Sequence, residues 1–450
     1  MLRNPPLLHK VFAIASTLVC VRFESARPLL GVCLGLCLLT ACDSASMKMR
    51  PGPPAQPRPL LEVMAVAWGE NLKFDQDFIQ AFGERNAVQT QFIPNSRLEV
   101  YRQLFHQHAS EPDLLELDIV WPAILAADLI DLRPYLKESI NVFPPQLLEN
   151  YTVQGRLVAL PLSVDIGVLY YRPQLLEKYG FTRPPDTWEE LETMAKRIQA
   201  GERRAGNKDF WGYTWQGSIS EGGTCNALEW QASSGAGNFI ESSRVHVRDA
   251  RFASMLTRVA GWIGTISPPA EYVYREDDSV NLWDAGQTAF MRNWASGYGH
   301  FAKQPGKDRL PFRIAPLPAG SGGHRGTLGG IGMGVSRYAA DRDSALKALF
   351  ELTSQRNDLA RSNFSDGIPT HSTATGQQDI KSRSELQALA AELMKSAVSR
   401  PALFTGDKYE SVSLAYATAV NSVLRRKATP EAAMADLEQK LTKLTGLPAQ

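Results

Sequence analysis

The sequence predicts an α/β fold of two lobes around a cleft. Short apolar strand candidates alternate with segments of helical spacing, and this alternation occurs in two separate series. Pro- or Gly-rich breaks fall near Pro161, Pro316 and Pro369. The first series opens with residues 60–67, whose apolar content is that of a buried strand. Phe74, Phe78, Ile79 and Phe82 follow at helical spacing, then a strand over 117–121 and a helix over 124–132. Strand, helix, strand, helix in this order implies βαβ units around a largely parallel sheet.

The second series begins with strands over 158–162 and 166–171, flanking Ser163, Val164 and Asp165. Thr187 caps a helix running through Ile198, and Glu190 three residues on completes a capping box. Further strands are expected over 211–215, 288–293 and 331–335, with Phe312 to Ala315 leading into the Pro316–Gly323 interruption. Helices are expected over 339–353, 384–398, 412–425 and 430–444, the last with Pro430 near its start. No short-period repeat is present, which excludes a solenoid. Ligands of α/β folds sit at the carboxyl ends of strands, so two facing lobes enclose a binding cleft.

Composition narrows the function. The chain has 450 residues, 44% apolar and 21% charged, with a formal net charge of +1. That length accommodates two or three compact units, and near-neutral charge without a basic patch excludes nucleic acid as the partner. The N-terminus reads as an export signal: Lys10, Arg22 and Arg27 precede apolar runs over 11–21 and 29–40, too short for an ordinary membrane span. One run suffices for export, so the biological start is expected near Val21, with the first twenty residues an extension. Leu39-Thr40-Ala41-Cys42 resembles a lipobox, making 1–41 the signal, Cys42 the lipidated first residue of the mature protein and the Pro-rich 42–59 a tether. Cys20, Cys33 and Cys37 leave with the signal. Cys225 then remains as a lone buried hydrophobe, and no Cys/His spacing suits a metal.

Several ordered segments carry a family resemblance. They are Asp118-Ile119-Val120-Trp121, Ala159-Leu160-Pro161-Leu162, Asp165 through Arg172, Leu175 through Gly180, Pro184 through Leu191, Gly286 through Trp294, Thr327-Leu328-Gly329-Gly330 and Arg400-Pro401. Together they resemble the bacterial extracellular solute-binding proteins of carbohydrate ABC importers, nearest to the trehalose/maltose-binding subgroup. The resemblance implies the two-lobed periplasmic-binding-protein fold, with 60–162 and 322–365 forming the N-terminal lobe and 163–321 and 366–450 the C-terminal lobe. It implies a di- or oligosaccharide ligand, an ABC permease partner and no catalytic residue, cofactor or metal. The protein is expected to be a monomer, anchored through Cys42 to the cell membrane and facing the periplasm or exterior.

Residue by residue, the resemblance assigns Asp118 and Asp165 as carboxylates for sugar hydroxyls, Trp294 as a stacking platform and Arg400 as a donor. Glu70 and Asn71 fall in the first strand–helix loop, where the family places polar ligands. Gly330, the second of the Gly-Gly pair, lets the backbone approach the sugar closely, and Ile331 follows the pair. The chemistry is sound: a carboxylate accepts from adjacent hydroxyls in charge-assisted bonds, a guanidinium donates from a planar fork, and indole packs on C–H patches. Glu229 and Trp230 are further cleft candidates. Ile331 stands where relatives have an aromatic, Ala295-Ser296 follows Asn293-Trp294 where another is expected, and Ser163 replaces a tyrosine. A less aromatic cleft follows, leaving the particular sugar open. Paired carboxylates also occur in glycosidases, so hydrolysis through Asp118 and Asp165 is one alternative; a non-sugar solute is the other.

Overall fold

The computed structural model describes residues 59–66, 71–95, 97–136, 139–303, 310–371 and 384–450. The signal, Cys42 and nearly all of the tether lie outside the described residues, as does Glu70. Thirteen strands are described: β1 (Leu60–Ala65), β2 (Gln89–Pro94), β3 (Leu114–Asp118), β4 (Thr152–Val153), β5 (Arg156–Leu157), β6 (Leu160–Tyr171), β7 (Trp211–Thr214), β8 (Ile240–Glu241), β9 (Arg244–Val245), β10 (Thr288–Trp294), β11 (Arg313–Ala315), β12 (Gly326–Val335) and β13 (Ala397–Val398). The main hydrogen-bonded path runs β2-β1-β3-β12-β6-β10-β7, with β11 on β6 and β13 on β12. Pairing is parallel at β1–β2, β1–β3 and β10–β7, as βαβ units require. β12 and β6 run antiparallel to each other and to β3 and β10.

Two hydrophobic clusters flank this path. The first gathers Leu61, Val63, Leu115, Leu117, Val164, Ile166, Met333 and Leu349. The second gathers Trp188, Leu191, Tyr213, Trp215, Leu228, Trp230, Phe290 and Val420. β6 contributes to both, with Val168 and Tyr170 in the first and Leu169 and Tyr171 in the second, because successive side chains of a strand face opposite ways. The two clusters do not divide the chain into simple blocks: Trp283, Met291, Phe301 and Ile314, although they follow β7, belong to the first. Ile368, Leu386, Leu393, Ala402 and Tyr409 pack in the first cluster, and the following residues Val412 to Leu441 in the second. The C-terminal segment returns across the first cluster before reaching the other.

Most expected elements form. Thr187 Oγ1 accepts from the Glu190 amide at 3.2 Å, starting helix Trp188–Arg204. The Glu190 carboxylate accepts from Asp186 N at 2.8 Å and is gripped by Arg183. Helices Glu385–Ser396, Tyr409–Leu424 and Pro430–Thr445 match the C-terminal periodicity. Four expectations are corrected. The strands at 158–162 and 166–171 are one continuous strand, β6, and the expected helix at 124–132 is a short helix, Trp121–Leu125, followed by a 3-10 turn. The strand expected over 117–121 is β3, three residues earlier, and the sheet expected to be largely parallel is mixed, with three of the six pairings on its main path antiparallel. No described helix is long and apolar enough to cross a membrane.

Candidate functional site

A cavity of about 960 Å³ opens where the strands end. In β6 and β12 only Ser163, Asp165, Gly330 and Ile331 are half-buried; all four line the cavity. They are register neighbours, Asp165 opposite Gly329, Val164 opposite Gly330 and Ser163 opposite Ile331, with an irregularity just beyond. β6 therefore stays extended through its polar residues, since period-2 alternation turns Ser163 and Asp165 to one open face. Gly330 has φ +133°, and a Cβ there would strike the Ser163 carbonyl, so only glycine fits.

Asp118 closes β3 and Trp294 closes β10, both at carboxyl ends. Asp118 Oδ1 accepts from Val120 N at 3.1 Å and lies 3.5 Å from Arg400. Burial raises its pKa, and the Arg400 charge opposes that rise. Asp165 Oδ1 accepts from Ile166 N and Ser296 N, each at 2.9 Å. Burial nevertheless pushes its carboxyl up to about 6, against these donors. The Trp294 ring has the Arg292 guanidinium 4.5 Å from its centroid, and a methyl built on Gly329 would lie 2.9 Å from Cζ3.

Arg400 is 5% exposed. It follows β13 and donates to Glu221 Oε1 at 2.8 Å, while its Nε finds no partner. Burial disfavours its charge, but neighbouring acidic groups outweigh that and hold its pKa well above the ordinary value. Arg400 thus joins β3, on the first cluster, to helix Glu221–Ser233, whose Leu228 and Trp230 belong to the second. Asn71 caps helix Leu72–Asn86 in position only: its side chain makes no capping bond, and Oδ1 is buried without a partner in the cavity wall.

The cavity therefore brings together Asn71, Asp118, Asp165, Trp294, Gly330, Ile331 and Arg400. Glu229 and Trp230 are not in its wall. Glu229 makes a buried ion pair with Arg292, and Trp230 packs edge-on against Trp215 at 4.9 Å. Sequence reasoning missed Glu116, Trp121, Glu221 and Tyr409. Glu221 takes bonds from Arg400, Tyr409 and Ser413, the last at 2.6 Å. Ser220 accepting from Gly223 N, as the N-cap of that helix, was its one local signal. Among the described residues no group of three or more His, Cys, Asp or Glu could hold a metal ion.

The comparisons fit this geometry. The profile of the bacterial extracellular solute-binding proteins matches residues 68–357, and the chain belongs to that family. A "Probable ABC transporter-binding protein" of Deinococcus radiodurans is 37% identical over 367 residues, 80% of this chain and 87% of that one. Maltose-bound MalE3 of T. maritima superposes with a TM-score of 0.78 at 28% identity, covering 86% of this chain and 99% of that one. The maltotriose-binding protein of Thermus thermophilus shares the fold, with a TM-score of 0.69 at 18% identity over 85% and 99% of the two chains.

Asp165 yields the first prediction. Its pKa in the empty protein, about 6, lies above the ordinary value of 3.8, so the folded chain favours the protonated form. That contribution to stability is fully present below the unfolded-state pKa and is lost as pH rises through about 6. A ligand hydroxyl donating to Asp165 needs the carboxylate, so binding has the opposite trend. Affinity is expected to be level from pH 8 to 7, then to fall by up to roughly tenfold per unit below the empty-state pKa. Titration calorimetry from pH 8 to 5 checks this, and Asp165→Asn should flatten the profile. Undiminished affinity at pH 5 would mean that Asp165 is not an acceptor for the ligand.

Proposed function

We propose that this protein captures a di- or oligosaccharide, with a trehalose- or maltose-like α-glucoside as the expected ligand, and delivers it to the permease of an ABC importer. The observation that carries the reading is the convergence of Asp118, Asp165, Trp294 and Arg400 on one cavity. Carboxylates and a guanidinium beside an indole suit rows of hydroxyls alternating with C–H surface. The described lining holds nine carboxyl groups against four guanidinium groups, which disfavours a phosphate ester. That matters because partial relatives include sn-glycerol-3-phosphate-binding proteins of Yersinia, 34% identical over 18% of this chain.

The deciding experiment is a thermal-shift screen of trehalose, maltose, longer α-glucosides and sn-glycerol-3-phosphate. A true ligand at 100 times its Kd stabilises the fold by about 2.7 kcal/mol. Stabilisation by glycerol phosphate alone would replace the sugar reading. Release of monosaccharide from a bound disaccharide would turn the binder into a glycosidase.

Two lobes, one built on each hydrophobic cluster and joined through β6, which contributes to both, close over the sugar in this reading. A ligand touching both can favour closure only by its preference for the closed form. Small-angle scattering should show a smaller radius of gyration with sugar, and an unchanged radius at saturation would remove closure as the signal to the permease.

The protein is held at the membrane through lipid on Cys42 and acts as a monomer. Cys42→Ala is expected to abolish anchoring, because the lipobox offers no other acyl acceptor. Fractionation checks it, and unchanged membrane association would rule the lipobox out.

A further inference from the structure

We propose that the ligand carries a basic nitrogen and that Glu116 is its counter-ion, so that the cleft takes an aminated saccharide in preference to its neutral parent. This rests on the saccharide reading above and adds a charge to the ligand. Its basis is the distribution of charge around the cavity. Of the four arginines in the lining, the two deeply buried ones already have carboxylate partners. Arg361 is bound to Asp75, and Arg400 is held by Glu221 with Asp118 nearby. Glu116 is the buried carboxyl left over.

It stands two residues before Asp118 on β3, is 4% exposed and forms part of the cavity wall. Oε2 accepts from Val66 N at 2.9 Å, and Oε1 has no hydrogen-bond partner. The groups around it do not supply a free cation. Asp75, on helix Leu72–Asn86, is an acid. Tyr101, on helix Leu98–His106, donates its hydroxyl to the Glu116 main-chain carbonyl at 2.8 Å. Arg361, on helix Gln355–Ser365, is taken by Asp75 and by the Leu162 carbonyl at 3.1 Å. Burial first, and then the Asp75 charge, push the Glu116 carboxyl up to about 8.

A buried carboxyl without a counter-charge is costly when ionised and leaves a group unsatisfied when neutral. An ammonium beside it answers both conditions. The surplus of carboxylates around the cavity draws a cation in and repels an anion. As the ammonium docks at neutral pH, the Glu116 O–H bond breaks and its proton passes to buffer. The carboxylate then pairs with R–NH3+, and no covalent bond to the ligand forms. Binding of an amine-bearing sugar should therefore release up to one proton, whereas a neutral sugar releases none at this residue.

Titration calorimetry at pH 7 tests the idea on three matched pairs: trehalose and 2-amino-2-deoxytrehalose, maltose and its 2-amino-2-deoxy analogue, and cellobiose and the β-1,4 glucosamine disaccharide. In at least one pair the amine-bearing member is expected to bind about tenfold or more tightly than its neutral partner. Heats in two buffers of different ionisation enthalpy should show net proton release for that member. Glu116→Gln should bring the preference within that pair down to about twofold or less and abolish the release. If Gln is not tolerated by the fold, proton release by the wild-type protein still decides. Equal or tighter binding of the neutral member in every pair, or a preference without proton release, would overturn this inference and leave the saccharide reading standing. Failure of every sugar to bind would overturn both.

Discussion

An Arg292→Ala protein should unfold with about 3–5 kcal/mol less free energy than wild type, the usual cost of stranding one partner of a buried ion pair. Arg292 and Glu229 are each 1% exposed. Arg292 Nε donates to Glu229 Oε2 at 2.9 Å, a second guanidinium nitrogen reaches Oε1, and the third donates to Gln216 at 3.0 Å. Burial disfavours the charge on Arg292, but the Glu229 carboxylate outweighs it and holds the pKa above the ordinary range. Glu229 Oε1 also accepts from Thr327 N at 3.1 Å, so the pair ties helix Glu221–Ser233 to β10 and β12. Urea denaturation of Arg292→Ala and Glu229→Ala should show comparable losses, and Glu229→Leu/Arg292→Met should recover part of them. A loss below about 1 kcal/mol would mean the pair is not held dry. Because the Arg292 guanidinium also backs Trp294, the single mutant should bind sugar less well even where it remains folded.

The second large effect is on affinity. Arg400→Ala is expected to weaken sugar binding by about 1.5–3 kcal/mol, roughly 10- to 150-fold, because a charged donor is lost where the side chain is buried. It also leaves Asp118 and Glu221 facing the cavity without the cation between them. Glu221 adds a sharper test. If it acts by holding Arg400 in place, Glu221→Ala costs affinity in the wild-type background and almost nothing in Arg400→Ala. Additive losses would instead mean that Glu221 touches the sugar itself. An Arg400→Ala protein with a lowered melting temperature and unaltered affinity would make the arginine purely structural.

The sequence by itself determined much of this protein. Apolar runs located β1, β10 and β11, because buried strands are apolar at nearly every position, and helical spacing located the three C-terminal helices, which bury one side; the strand expected over 117–121 lies three residues earlier, at β3. The ordered segments from Asp118 to Arg400 carried the family, which the profile match over 68–357 bears out. Tertiary structure decided the rest. Helix Glu221–Ser233 is buried at every position but its first, so it has no polar face for a periodic pattern to record. β6 looked like two strands because Ser163 and Asp165 interrupt its apolar run, and only the cavity explains why they belong in it. Arg400 reaches Glu221 across 179 residues, and Arg361 reaches Asp75 across 286. Which charges are paired and which, like Glu116, are left alone depends on such long-range meetings. Local propensity has no access to them, since burial and chain crossing, rather than sequence spacing, bring those side chains together.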